Sequence, residues 1–215
     1  PQGTLYGSGA LGGTVRYIMR APELGTFSGG ATGTVSSVKD SGGIGYSGTL
    51  TLNVQIGDTL ALRATVTRND YPGVTDYTNL YKLDANGVPV APKGVASPDA
   101  AYYSKKDADF ARQWYGRAAL LWKPTSNFDV TLTYMDQHDE FGGRRGTTLG
   151  TNGLGVPYKE NQNGSVQLEP ASRDVYLASL EANLDLGFAT LTSSTSAYNN
   201  RGAITSENTG FYAQN

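Results

Sequence analysis

Apolar and polar residues alternate one by one along much of this chain. From Tyr46 to Ile56, Leu50, Leu52, Val54 and Ile56 share one side, and Ser47, Thr49, Thr51, Asn53 and Gln55 the other. Gly57-Asp58-Thr59 interrupts the pattern, and Leu60, Leu62, Ala64 and Val66 then alternate with Ala61, Arg63, Thr65 and Thr67. A period of two belongs to a strand with one apolar face, so this stretch predicts a β-hairpin. A second hairpin is predicted from Arg112 to Gln137, turning at Pro124-Thr125-Ser126-Asn127. In it Trp114, Gly116, Ala118, Leu120 and Trp122 share a face, and Phe128, Val130, Leu132 and Tyr134 continue the alternation. A third runs from Arg173 to about Asn200 and turns near Leu186-Gly187; the facing of its last strand, about 188–200, is open. A weaker strand over about 26–38 precedes them all. The chain is therefore expected to be all-β and antiparallel, with about seven strands.

The connections have a direction. The turns near 58, 126 and 187 are short, whereas those at about 70–111 and 139–172 are long and polar. Followed up and down, the long ones fall together at one end, with a short one at about 39–44. Short turns at one end and long loops at the other characterise transmembrane β-barrels of the outer membrane. Mid-strand charges (Arg63, Arg117, Asp129, Glu181, Asp185) all have the parity of the polar face, as either a lipid-facing or a soluble sheet requires. Trp122 and Phe128 flank one short turn, with Trp114 and Tyr134 toward the other end, the spacing of two aromatic girdles.

Composition narrows the classes. Net charge is −2, which gives no global attraction to nucleic acid. There is no cysteine and a single histidine, His138, which excludes a disulfide framework, thiolate chemistry and a multi-histidine metal site. No apolar run is long enough for a transmembrane helix, but barrel strands need only about 9–11 residues. Pro1 is not an initiator methionine and no signal peptide precedes the strands, so the chain is expected to be a piece of a longer protein.

The first 22 residues carry a family pattern. Pro1-Gln2-Gly3-Thr4-Leu5-Tyr6-Gly7, followed by Ala10-Leu11-Gly12-Gly13-Thr14-Val15-Arg16-Tyr17-Ile18-Met19-Arg20-Ala21-Pro22, resembles the end of the plug in TonB-dependent outer-membrane receptors. Gly57–Arg63 and Gly116–Pro124 resemble early barrel segments of the same family, in the same order. Met19-Arg20-Ala21-Pro22 departs from the usual Thr-Lys-x-Pro. The resemblance implies the end of a plug domain over 1–22 and the first part of a transmembrane β-barrel over 23–215. It implies a parent protein in the bacterial outer membrane that takes up a scarce nutrient, such as a ferric siderophore. The energy would come from a TonB-type protein acting on a segment upstream of this chain, and the chain alone is not expected to transport. A passive porin-like barrel, or a soluble or surface β-sandwich adhesin, stands as the alternative.

The remaining motifs are weaker. Gly7-Ser8-Gly9-Ala10-Leu11-Gly12 fits the glycine pattern of dinucleotide folds, but a predicted strand follows it where a helix is needed. Asp136, His138, Asp139 and Glu140 gather where a strand enters a long loop; they could hold a divalent cation, but a solvated rim is the plainer reading, and no metal or other cofactor is expected. Asp84-Ala85-Asn86-Gly87 reads as a turn rather than a calcium loop. No catalytic constellation is present, and no enzyme activity is expected. Tyr71, Tyr77, Tyr81, Tyr102 and Tyr103 crowd the first long loop, and Arg144-Arg145, beside Gly142 and Gly143, forms a flexible basic tip in the second. Tyrosine offers contact area with a polar end, and arginine binds carboxylate or phosphate. These seven are the candidate contacts to an external ligand such as an iron chelate; the plain alternatives are loop packing and a solvated tip.

Overall fold

The computed structural model describes residues 18–88, 90, 102–151 and 155–207. The glycine motif at 7–12 and most of the plug-like stretch lie outside these residues. The described residues contain strands and no helix. Seven strands form one antiparallel sheet: β1 (Ser28–Ser37), β2 (Ile44–Ile56), β3 (Leu60–Tyr71), β6 (Ala111–Thr125), β7 (Phe128–Phe141), β9 (Ala171–Asp185) and β10 (Thr190–Ile204), neighbours in that order. These are the strands that alternation predicts. The short turns at 57–59, 126–127 and 186–189 lie at one end, with Gly57 and Gly187 at positive φ. At that end β6 carries one extra residue against β7 between Trp122 and Thr125. Pro124 sits in this bulge, a position that tolerates a residue without an N–H.

Register aligns the faces in cross-strand rows. Val54, Leu62, Leu120, Leu132 and Leu180 form one row. Leu52, Ala64, Ala118, Tyr134 and Ala178 form another, and Ile56, Leu60, Trp122, Val130 and Ala182 a third. Trp122 meets Phe128 edge to face at 6.3 Å beside the short turn. Nothing among the described residues covers this face: each strand of the sheet contacts only its ladder neighbours. Leu132 and Leu180, in the middle of central strands, are 50% and 47% exposed.

The opposite face is polar. Thr49 and Thr67 hydroxyls meet at 3.0 Å, and Thr51 and Thr65 at 3.1 Å. Further along, Asn69, Gln113, Asp139 and Arg173 stand in one row. Asp139 is fully buried there, accepting from Arg173 Nη2 at 2.7 Å and from Gln137 Nε2 at 2.9 Å. Arg63, Arg117 and Glu181 belong to this face, as alternation requires. On β10 Leu191 takes the apolar side, opposite Leu184, and Tyr198 the polar side, opposite Leu177. The facing was open in the sequence because serine and threonine dominate both sides of this strand.

The segment before β1 lies against the polar face. Asn53, fully buried, accepts from Glu23 N at 2.9 Å and donates to Glu23 O at 2.9 Å and Thr26 O at 2.8 Å. Arg117 Nη1 reaches Arg20 O at 3.4 Å. One buried amide thus gives an irregular strap the partners that a neighbouring strand would supply.

The two long connections are not bare loops. They contain a second sheet of β4 (Asp76–Tyr81), β5 (Tyr102–Lys105) and β8 (Gln162–Asn163), with β4 in the middle. Its core is Tyr77, Leu80 and Ala108, with Leu168 packed against them. No alternating run announces these strands. They are short, β4–β5 is irregular between Tyr77 and Leu80, and β4–β8 is parallel over two residue pairs.

Candidate functional site

The long-loop end holds a cavity of about 630 Å³, within the size range of small-molecule sites. Its floor is the last row of the large sheet's polar face, Tyr71, Ala111, Phe141, Ala171 and Ile204. Its other wall is polar and comes from the loops: Asp109, Arg144, Arg145 and Glu169. The floor is apolar because Ala111 and Ala171 carry no polar atoms and Phe141 and Ile204 close the row. The charges sit on the loop side because their backbones are fixed there.

Asp109 is the main fixing point. Its Oδ1 accepts from Val74 N and Thr75 N, each at 2.7 Å, and its Oδ2 from Arg145 Nε at 2.7 Å. Burial works to raise the pKa of this carboxyl, but Arg145 and the two amides outweigh it and hold the group below the ordinary carboxylate range. Tyr77 is the second fixing point and is fully buried. Arg144 N donates to its hydroxyl at 2.9 Å, and its own proton faces Arg144 O at 3.2 Å and Glu169 Oε2 at 3.3 Å. Burial, opposed by the Arg144 amide and reinforced by Glu169, pushes the phenol up to about 12. Glu169 is buried too and accepts from Glu207 N at 3.1 Å.

Gly142 and Gly143 join β7 to this wall. A Cβ at Gly142 would stand 2.2 Å from the Phe110 ring and 2.4 Å from Ala108 O, so only glycine lets the chain pass. Gly142 N donates to Phe110 O at 2.9 Å, which ties the tip to the first loop. The two arginines differ in consequence. Arg145 is bound to buried Asp109, whereas the Arg144 guanidinium stands 4.0 Å from Glu169.

Of the candidate ligand contacts, Tyr71, Arg144 and Arg145 line this cavity. Tyr81 and Tyr103 line a second hollow of about 490 Å³ with Leu80, Leu83, Val166 and Leu168. Tyr102 stacks on Tyr81 with centroids 5.1 Å apart. Burial first, and then the hydrogen bond with Tyr102, pushes the Tyr81 phenol up to about 12. Tyr77 lies inside the loop core and packs it. Asp109, Glu169 and the floor residues other than Tyr71 were missed from sequence; lone acids in loops carry no spacing signal, and the floor emerges only once five strand ends are in register.

The other motifs resolve into structural roles. Asp139 faces the polar side, away from His138, which pairs with Asp174 on the opposite face. Among the described residues no group of three or more His, Cys, Asp or Glu could hold a metal. Asp84 Oδ1 accepts from Asn86 N at 2.8 Å and Val88 N at 2.9 Å, a self-bonded turn. No model of a known protein family matches the chain, and neither a curated protein nor a solved structure is similar to it.

Proposed function

We propose that this chain is the part of a TonB-dependent outer-membrane receptor that joins the end of the plug to the first barrel strands. On this reading the bare apolar face meets lipid, the polar face looks into the lumen, and the long loops form the external mouth. The observation that carries it is the pairing of two features of one sheet: an uncovered apolar face across all central strands, and a strap, Arg20–Thr26, bonded to the polar face through Asn53 and Arg117. A soluble sandwich would bury the first under a second layer. A plugless porin has no use for the second. Phe128 and Asp136, the first charge met on the apolar face of β7, are eight residues apart, or about 20 Å along the membrane normal at a tilt of about 40°. That approaches the apolar band of about 25 Å in such barrels. The parent receptor would take up a scarce solute such as a ferric siderophore, energised by a TonB-type protein through a segment outside this chain.

The chain has no cysteine, so nitroxide labels can be placed singly in the full-length protein that carries it. In outer-membrane vesicles, labels at 130, 132 and 134 should be relaxed by oxygen, and those at 131, 133 and 135 by a water-soluble nickel chelate. Uniform behaviour at the six sites would remove the membrane reading. Binding of the purified full-length protein to the periplasmic domain of a TonB-type protein tests the energised class; no binding leaves a barrel but not this one.

A further inference from the structure

The neighbouring arginines at the mouth are not equivalent. Arg145 is committed: its Nε lies 2.7 Å from Asp109 Oδ2, and that carboxylate also holds Val74 and Thr75. Arg144 is committed through its backbone alone, whose N–H and C=O both face the Tyr77 hydroxyl. Its side chain is 72% exposed, lines the 630 Å³ cavity, and has Glu169 at 4.0 Å as its nearest acid, too far for a hydrogen bond. An arginine with a rigid root and a solvent-exposed guanidinium, hydrogen-bonded to no acid among the described residues, is arranged to accept an anion in bidentate fashion without reordering its backbone. Across the cavity stand Tyr71, Phe141 and Ile204, an apolar floor that one ring or short aliphatic body would cover.

We propose that Arg144, and not Arg145, captures the anionic group of a ligand whose apolar, ring-sized body lies on the Tyr71–Phe141–Ile204 floor. The ligand class is therefore an aromatic or aliphatic carboxylate or phosphate rather than a neutral sugar or a cation. The proposal rests on the receptor reading only for the direction in which the cavity opens.

The probes are 2-naphthoate and its neutral counterpart 2-naphthamide, titrated into the detergent-solubilised full-length protein and followed by calorimetry. Naphthoate should bind about tenfold or more tighter than naphthamide, the scale of a charge-assisted hydrogen-bonded pair. Arg144→Gln should abolish that preference while naphthamide affinity stays within about twofold, and Arg144→Lys should restore part of it. Arg144→Gln keeps both backbone bonds to Tyr77, so an unchanged near-ultraviolet tyrosine spectrum certifies the fold. Equal affinity for the two probes, no binding of either, or a preference that survives Arg144→Gln overturns the proposal. The labelling experiment is independent of it, so a lipid-facing sheet with no naphthoate preference sinks this inference alone.

Discussion

Asp109 and Gly142 show how much of the long-loop end depends on single residues. Replacing Asp109 by Asn removes the charged acceptor from Val74 and Thr75 and releases Arg145. Hydrogen bonds to a charged group contribute about 1.5–3 kcal/mol each, but the exposed guanidinium recovers water, so the expected loss is about 2 kcal/mol, measurable as faster proteolysis of the two long loops. The same carboxyl sets an acid limit. Its folded pKa lies below the ordinary 3.8, so the folded loops bind fewer protons there than unfolded ones. The stabilisation is complete above about pH 4 and is lost as the pH falls through the folded value. The amide resonances of Val74 and Thr75 should move together as the pH falls through that value; if Asp109→Asn leaves both resonances where they are in the parent, the carboxylate is not their anchor. Gly142→Ala drives a methyl into the Phe110 ring and Ala108 O, and should cost about 1–3 kcal/mol in the loop cluster while leaving the seven-stranded sheet intact. These effects are invisible in the sequence, where Gly142 and Gly143 beside two arginines look like a mobile tip.

At the scale of elements, what could be read depended on length and regularity. The long strands betray themselves because Leu50 through Ile56 or Trp114 through Trp122 repeat one choice of face over many residues. β4, β5 and β8 are too short for such repetition, and their core joins Tyr77, Leu80, Ala108 and Leu168 from separated stretches. The strap was legible only as a family-like string ending at Pro22; that Asn53 binds it could not be known, since alternation assigns Asn53 a polar face and no partner. Asn53→Ala leaves Glu23 N, Glu23 O and Thr26 O without their buried partner. The strap should detach before the sheet unfolds, seen as a selective loss of hydrogen-exchange protection at Glu23. Equal protection in mutant and parent would mean that water or neighbouring chain replaces the amide.

For the whole molecule, the two faces make opposite demands. Leu132 and Thr133 are adjacent in sequence and sit mid-strand on opposite sides. On the proposed receptor reading, Leu132→Arg in the full-length protein folded into lipid vesicles should cost about 2–4 kcal/mol in denaturant unfolding, and Thr133→Arg well under half of that. Equal costs would mean that both faces see the same medium.

The loop sheet has a core of its own, and from this a thermodynamic consequence follows. On the receptor reading, a solute reaching this end meets described residues that are already packed around Tyr77. The heat-capacity change of association should then match the contact area of the solute, without the larger increment that accompanies a loop condensing onto its guest. On that reading, recognition at this surface would be selection by a standing shape, with its speed set by diffusion into the opening rather than by rearrangement of the described residues.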